Sequence, residues 1–384
     1  MEHGLILFTL TSILPGTTLA KPTDSKKRPN IVFFLADDLL SSQLPLGTLA
    51  GAELTELSSK PFFIQGRTDV GFTEGKFQTP TPTIDRLAWE GIILNRYHSD
   101  ALCTSHKRIG SHRKVYNPYR SSNDVIRNGI AKALPLQHTL SPQLVKKLGY
   151  RTSLLGKGRG FVYSLWYSSG SCHFLTHPAA YPVGVYNSTL ANHAKSGRSF
   201  TALPTSKTQG ERPATTSGRT LRENGLRVPV SHVNNFYLPE LFNAKAIFPV
   251  LCYSLATYQQ FLSSHHHATA RPSSPCPQLP IKYPKRKQQL ALIQALDESV
   301  KRMIGALTNK GVLNNSLFVF ASGNGGAAEL VGPLTGGANH GYNWPRRAGK
   351  ASLFEGGVRA AVFIWSPLLK RPATMTNQLF HVTD

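Results

Sequence analysis

Asp37 and Asp38 stand side by side where the apolar run Ile31 to Ala36 ends. Adjacent carboxylates repel each other unless a cation or strong donors compensate, and hard oxygen ligands of this kind suit Ca²⁺ or Mg²⁺. Taken alone, the pair reads first as a solvated loop start or a helix cap, and second as a metal site. Four cysteines, Cys103, Cys172, Cys252 and Cys276, allow up to two disulfides, and none of their spacings suggests a zinc site. His265, His266 and His267 are consecutive, so their side chains diverge and they read as a polar loop.

Elements able to position such residues are legible along the chain. From Pro29 the run Pro-Asn-Ile-Val-Phe-Phe-Leu-Ala has the continuous apolar character of a buried parallel strand, with a site expected at its C-terminal end. A second unit of this kind spans Ser316 to Gly326, where Leu-Phe-Val-Phe-Ala leads into Ser322, Gly323, Asn324, Gly325 and Gly326. A third is Ala360 to Trp365, after Gly356 and Gly357. Helical patterns cover Leu140 to Leu148 and the amphipathic stretch Gln289 to Leu307. Strands alternating with helices predict an α/β fold with a parallel sheet covered on both faces.

The chain has 384 residues, 40% of them hydrophobic, enough to fill a sizeable core. Residues 1–20, with an apolar stretch from Leu5 to Leu14 and then small residues, read as a signal peptide. They direct the chain to the secretory pathway, lysosomal or extracellular. The apolar run Ala246 to Tyr258 is too short to span a bilayer and contains Pro249, so no membrane span is expected. Asn187-Ser188-Thr189 and Asn314-Asn315-Ser316 are formal glycan acceptors. A formal charge of +23 raises polyanionic partners, yet residues 104–290 alone carry 25 Lys and Arg against 4 Asp and Glu. No nucleic-acid module accompanies that basic stretch, so nucleic acid is not expected as a partner. Three segments stand apart from the alternating pattern: 40–68, 104–124 and 158–284. The last reads equally as a flexible insert rich in Ser, Thr, Pro and basic residues.

Taken together, several short motifs resemble one family. Ile31 to Asp38, Asp69-Val70-Gly71-Phe72, Thr81-Pro82-Thr83-Ile84-Asp85-Arg86-Leu87 and Leu102-Cys103-Thr104 follow the order of the amino-terminal half of a type I sulfatase. Leu134-Pro135-Leu136, Leu148-Gly149-Tyr150 and Gly156-Lys157 continue it. Asn343-Trp344-Pro345, Lys350 and Glu355-Gly356-Gly357-Val358-Arg359 are similar to the arylsulfatase B group in particular. The resemblance covers residues 28–38, 69–103, 125–157 and 287–384. It implies an alkaline-phosphatase-like domain over 28–384, with a mixed, largely parallel sheet flanked by helices, and without the smaller C-terminal subdomain of such enzymes. It also implies hydrolysis of sulfate esters on small aryl sulfates or glycosaminoglycan sugars. By the same resemblance Asp37, Asp38 and Asn324 are Ca²⁺ ligands, Lys157 and Lys350 are sulfate-binding cations, and Cys103 is the precursor of a formylglycine made by the formylglycine-generating enzyme. Singly, either lysine reads as an ordinary surface residue.

The departures from the family pattern are equally specific. Cys103 is followed by Thr104, Ser105, His106, Lys107 and Arg108, without the Pro and the correctly spaced Arg of Cys-x-Pro-Ser-Arg. Gly323 replaces a carboxylate of the family's Asp-Asn-Gly-Gly, and Arg159 stands where the family has the His of Gly-Lys-Trp-His. An impaired or inactive enzyme is therefore expected, with two alternatives. One is a non-catalytic secreted relative that binds anionic glycans. The other is a frameshifted gene model, because shifting His106 to Ser122 by one base permits a sequence much like the sulfatase helix after the nucleophile.

Overall fold

The computed structural model describes residues 28–36, 69–73, 80–101, 141–156, 163–167, 221–229, 238–252, 284–326, 343, 346–350, 352–382 and 384. Two sheets organise them. The larger contains β1 (Asn30–Ala36), β2 (Ile92–His98), β7 (Ser316–Ser322), β8 (Val362–Trp365) and β9 (Thr374–His381), in the spatial order β1-β7-β8-β2-β9. β1 pairs with β7 in parallel and β2 with β9 in parallel, while β8 is antiparallel to both β7 and β2. Four strands thus run one way and β8 runs against them. This is the mixed, largely parallel sheet expected; the wholly parallel reading of the strand pattern fails at β8. A short apolar run fits a central strand in either direction, so local pattern could not assign its polarity.

The C-terminal ends of β1, β7, β2 and β9 consequently share one edge of the sheet with the N-terminal end of β8. Phe34, Phe320 and Phe363 face each other across β1, β7 and β8, stacked at 5.9 and 5.2 Å between ring centroids, and Phe72 meets Phe363 edge-on at 5.4 Å. Offset aromatic contacts of this kind add to the burial that holds the middle of the sheet together.

The helices cover this sheet. α1 is Pro82–Glu90, α2 Ser141–Lys147, α3 Leu238–Cys252, α4 Pro284–Asn309 and α5 Glu355–Val358. α4 buries Leu290, Ile293, Leu296, Val300, Met303 and Leu307, the apolar stripe its sequence spacing predicts. It also caps α1. The Asp297 carboxylate accepts the Ile84 amide at 2.8 Å and the Thr83 amide at 3.3 Å, satisfying first-turn donors that Thr81 leaves without a side-chain cap. The smaller sheet, β3 (Ser153–Gly156), β4 (Tyr163–Tyr167), β5 (Leu221–Glu223) and β6 (Leu226–Arg227), runs in sequence order. Its β5–β6 hairpin turns through Asn224 and Gly225, both at positive φ, as a two-residue turn of this type demands. Tyr163 and Lys245 both donate to the Glu223 carboxylate, at 2.7 and 2.8 Å, and so tie α3 to this sheet. Part of the basic stretch 158–284 is therefore ordered secondary structure. Segment 40–68 lies outside the described residues, and so does 104–124.

α1 also anchors the turn at 71–73. Asp85 accepts the Phe72 amide at 2.8 Å and the Thr81 hydroxyl at 2.9 Å, while the Gly71 amide donates to Thr81 Oγ1 at 3.1 Å. Burial raises the Asp85 carboxyl to about 6, against the opposing pull of these hydrogen bonds. Because the folded chain holds this proton more tightly than the unfolded one, the Asp85 contribution to stability is present below about pH 4 and is lost as pH rises through about 6. Asp85→Asn preserves the acceptor and should flatten that part of the profile. Thermal unfolding of both proteins between pH 4 and 7 checks it, and identical slopes would refute the assignment.

Candidate active site

β7 ends at Ser322 because the next four residues, Gly323 to Gly326, break from the sheet while remaining pinned to it. The Gly323 amide donates to the Ala36 carbonyl at 2.8 Å, continuing the β1–β7 ladder by one rung, and the Ser322 amide donates to Ala361 at 2.8 Å. Within the turn, Ser322 Oγ donates to the Asn324 carbonyl at 2.9 Å, and Asn324 Nδ2 donates to the Gly325 carbonyl at 2.7 Å. Asn324 is completely buried.

Two neighbouring segments close over this turn. Asn343 Nδ2 donates to the carbonyls of Gly326 and Ala348, both at 2.9 Å, and the Lys350 amide donates to Gly326 at 3.0 Å. Lys350 is almost fully buried. On the other side, the Gly325 amide donates to the Gly357 carbonyl in α5 at 2.9 Å. The glycines here are required by space. A Cβ on Gly325 would lie 1.8 Å from the Gly356 carbonyl oxygen, and one on Gly356 would lie 2.3 Å from the Ala348 carbonyl oxygen. Three backbone segments therefore meet with no room for a side chain between them.

The exit of β2 joins the same cluster. Ser99 Oγ donates to the Gly323 carbonyl at 2.6 Å, and the Ser99 amide donates to Val358 at 2.7 Å. Just beside it, Glu355 lies 2.8 Å from His98 Nε2 and 3.0 Å from Arg359 Nη1, and Arg359 also donates to the backbone and side-chain oxygens of Asn95. Partial burial pulls the Glu355 carboxyl up, but hydrogen bonds from His98 and Arg359 outweigh it and hold the group below its ordinary range. The i, i+4 spacing of Glu355 and Arg359 on a helix is legible in the sequence. Ser99 carries no such signal and was missed. So was Arg346, which is nine-tenths buried; among the described residues no hydrogen-bond partner reaches any of its three guanidinium nitrogens.

Of the six residues singled out from the sequence, Asn324 and Lys350 are described, and the fold brings their segments together through Gly326. Asp37, Asp38, Cys103 and Lys157 lie outside the described residues. The strands leading to them are placed: β1 ends at Ala36, immediately before Asp37, and the chain leaving β2 is described to Ala101, two residues before Cys103. Lys157 follows β3 of the smaller sheet. The donor chemistry fits a hard divalent cation. Asn324 donates through Nδ2 and carries an amide oxygen, a hard donor type, and β1, which leads to the two carboxylates, is the immediate neighbour of β7. Among the described residues alone, no group of three or more His, Cys, Asp or Glu is gathered as a metal site. No helix among them is long and apolar enough to cross a membrane.

Comparison with known proteins agrees with this architecture. Arylsulfatase J of Mus musculus is 27% identical over 384 aligned residues, covering 94% of this chain and 52% of that protein. N-acetylgalactosamine-6-sulfatase of Mus musculus is 24% identical, covering 93% of this chain and 61% of its own length. The chain thus spans little more than half the length of these relatives. Among solved structures, Ps i-CgsB in complex with k-i-k-neocarrahexaose superposes with a TM-score of 0.67 at 20% identity, over 93% of this chain and 70% of that one. The PsFucS1 sulfatase from Pseudoalteromonas sp. gives 0.60 at 19% identity, over 98% and 68%. The family model described as Sulfatase matches residues 29–384, and the chain belongs to the sulfatase family.

Proposed function

We propose that this chain is the catalytic portion of a sulfuric ester hydrolase of the secretory pathway, lysosomal or secreted, acting on sulfated glycosaminoglycan sugars or aryl sulfates, and that it is impaired as it stands. The observation that carries the reading is the joint between the buried Asn324 turn and the buried Lys350 segment, at the sheet edge where β1 and β2 also end. In this reading Asp37, Asp38 and Asn324 hold Ca²⁺, and Lys157 and Lys350 offset charge on the sulfate oxygens. A bound divalent cation supplies a fixed positive charge against the sulfate as its ester bond breaks. Ser99 and Gly325 keep the Asn324 turn in place against β2 and α5. Cys103 is the residue a formylglycine would derive from.

The impairment rests on two departures. The residues after Cys103 lack the Pro and Arg that the formylglycine-generating enzyme would read, and Gly323 offers no carboxylate to the cation. A second reading, a non-catalytic secreted relative that binds anionic glycans, is favoured by the charge of +23 and its concentration in residues 104–290.

Mass spectrometry of the Cys103 peptide from secreted protein, paired with calcium titration of thermal unfolding, tests the proposal. An unmodified cysteine is expected, with no turnover of an aryl sulfate. Calcium at about a hundred times its dissociation constant should stabilise the fold by about 2.7 kcal/mol, and Asn324→Ala should remove that gain. Formylglycine with turnover would overturn the impairment, and a melting curve indifferent to calcium would overturn the metal site.

A further inference from the structure

The chain between Lys350 and α5 presents an apolar surface beside the candidate site. Leu353 is 91% exposed and Phe354 46% exposed, at the start of a short helix whose Gly356 and Gly357 are locked beneath the Asn324 turn. Phe354 is held by its backbone, its carbonyl accepting the amides of Gly357 at 2.7 Å and Val358 at 3.1 Å. The exposed guanidinium of Arg347 lies 4.2 Å from the centre of the Phe354 ring. It forms no hydrogen bond or ion pair with any described residue. A guanidinium over an aromatic face is held there by the ring's negative face while N–H groups that point away from the ring stay available to an oxyanion.

The surrounding charge selects the occupant. Residues 343–359 contain Arg346, Arg347, Lys350 and Arg359 against one acid, Glu355, which His98 and Arg359 already engage. We propose that Arg347, Phe354 and Leu353 form a saccharide subsite beside the sulfate-binding centre. An apolar sugar face rests on Phe354 and Leu353, and a sulfate or carboxylate on that sugar pairs with Arg347. The subsite rests on the hydrolase reading for its substrate class. It deepens that reading by assigning recognition of an acidic sugar ring to residues apart from the metal and nucleophile positions.

Binding is the readout, because it requires neither formylglycine nor turnover. Calorimetric titration of the full chain uses chondroitin 4-sulfate tetrasaccharide, hyaluronan tetrasaccharide, which carries carboxylates alone, and inorganic sulfate. Arg347→Met and Phe354→Ala should each weaken chondroitin sulfate binding about five- to twentyfold, as expected for one stacking or charge-assisted contact. Phe354→Tyr should restore the affinity, and the fully accessible Leu353→Ser should lower it about twofold. Inorganic sulfate should bind all variants alike. Equal dependence of both tetrasaccharides on Arg347 identifies a carboxylate as its partner, whereas dependence of the sulfated one alone identifies a sulfate. The subsite is refuted if the parent protein does not bind chondroitin sulfate, if Arg347→Met and Phe354→Ala bind it as the parent does, or if Phe354→Tyr fails along with Phe354→Ala. A melting curve indifferent to calcium, or turnover of an aryl sulfate, alongside the expected binding pattern would count against the impaired-hydrolase reading only.

Discussion

Gly325→Ala should destabilise the fold by about 3 kcal/mol, at the upper end of the cost of overpacking a tight interior contact. The added methyl would sit 1.8 Å from the Gly356 carbonyl oxygen and 2.8 Å from its carbonyl carbon. Both are backbone atoms of α5, so no side chain can swing aside to make room. Retreat of α5 is resisted in turn, because Gly356 is already pressed against the Ala348 carbonyl and the Gly357 carbonyl accepts the Gly325 amide. The turn carrying Asn324 must therefore move, and calcium stabilisation should disappear with the lost stability. Thermal unfolding with and without calcium measures both effects, with an expected loss of about 4 °C for a domain of this order of size. Gly305→Ala provides the contrast. That glycine lies within α4 with nothing within 4 Å of the added carbon, and the change should stabilise by about 0.5–1 kcal/mol through helix propensity. A Gly325→Ala protein as stable as its parent would mean that the three backbone segments do not meet as described.

Arg346→Met should stabilise the protein by about 2 kcal/mol, the opposite sign from most substitutions at buried positions. The guanidinium is buried with none of its nitrogens hydrogen-bonded to a described residue, and the nearby Arg359 charge opposes it while Glu355 attracts it. Burial, more than repulsion by Arg359, pulls its pKa down, and at neutral pH it remains a cation with no hydrogen-bond partner among the described residues. Methionine retains much of the aliphatic stem and removes the charge, avoiding the cavity that alanine would leave. Urea unfolding of both proteins at pH 7 measures the effect. A loss of stability at pH 7 would show that the guanidinium has a counter-ion in solution.

Much of the frame is legible in the sequence because its signals are local. The apolar runs at Asn30–Ala36, Ser316–Ser322 and Val362–Trp365 are strands, and the 3.6-residue stripe after Gln289 is the buried face of α4. The glycine-rich step after Ser322 marks where β7 ends and the Asn324 turn begins. β2 and β9 escaped notice. β2 is buried over its first residues and half-exposed over its last, and β9 is mostly exposed, so neither shows one clean periodicity.

By itself, then, the sequence determined the family, the strands β1 and β7 that end at the site, and the identities of Asn324 and Lys350 as residues worth following. Tertiary structure decided the rest. It set β8 against its neighbours, brought Asp297 across more than two hundred residues to cap α1, placed Ser99 on the Gly323 carbonyl, and left Arg346 inside with no hydrogen bond to a described residue. It also gave the glycines of the Glu355-Gly356-Gly357 motif their reason. A run of residues specifies its own periodicity and turn propensity, but strand direction, remote caps and the closeness of two backbones depend on which segments pack together, and that is fixed only when the core closes.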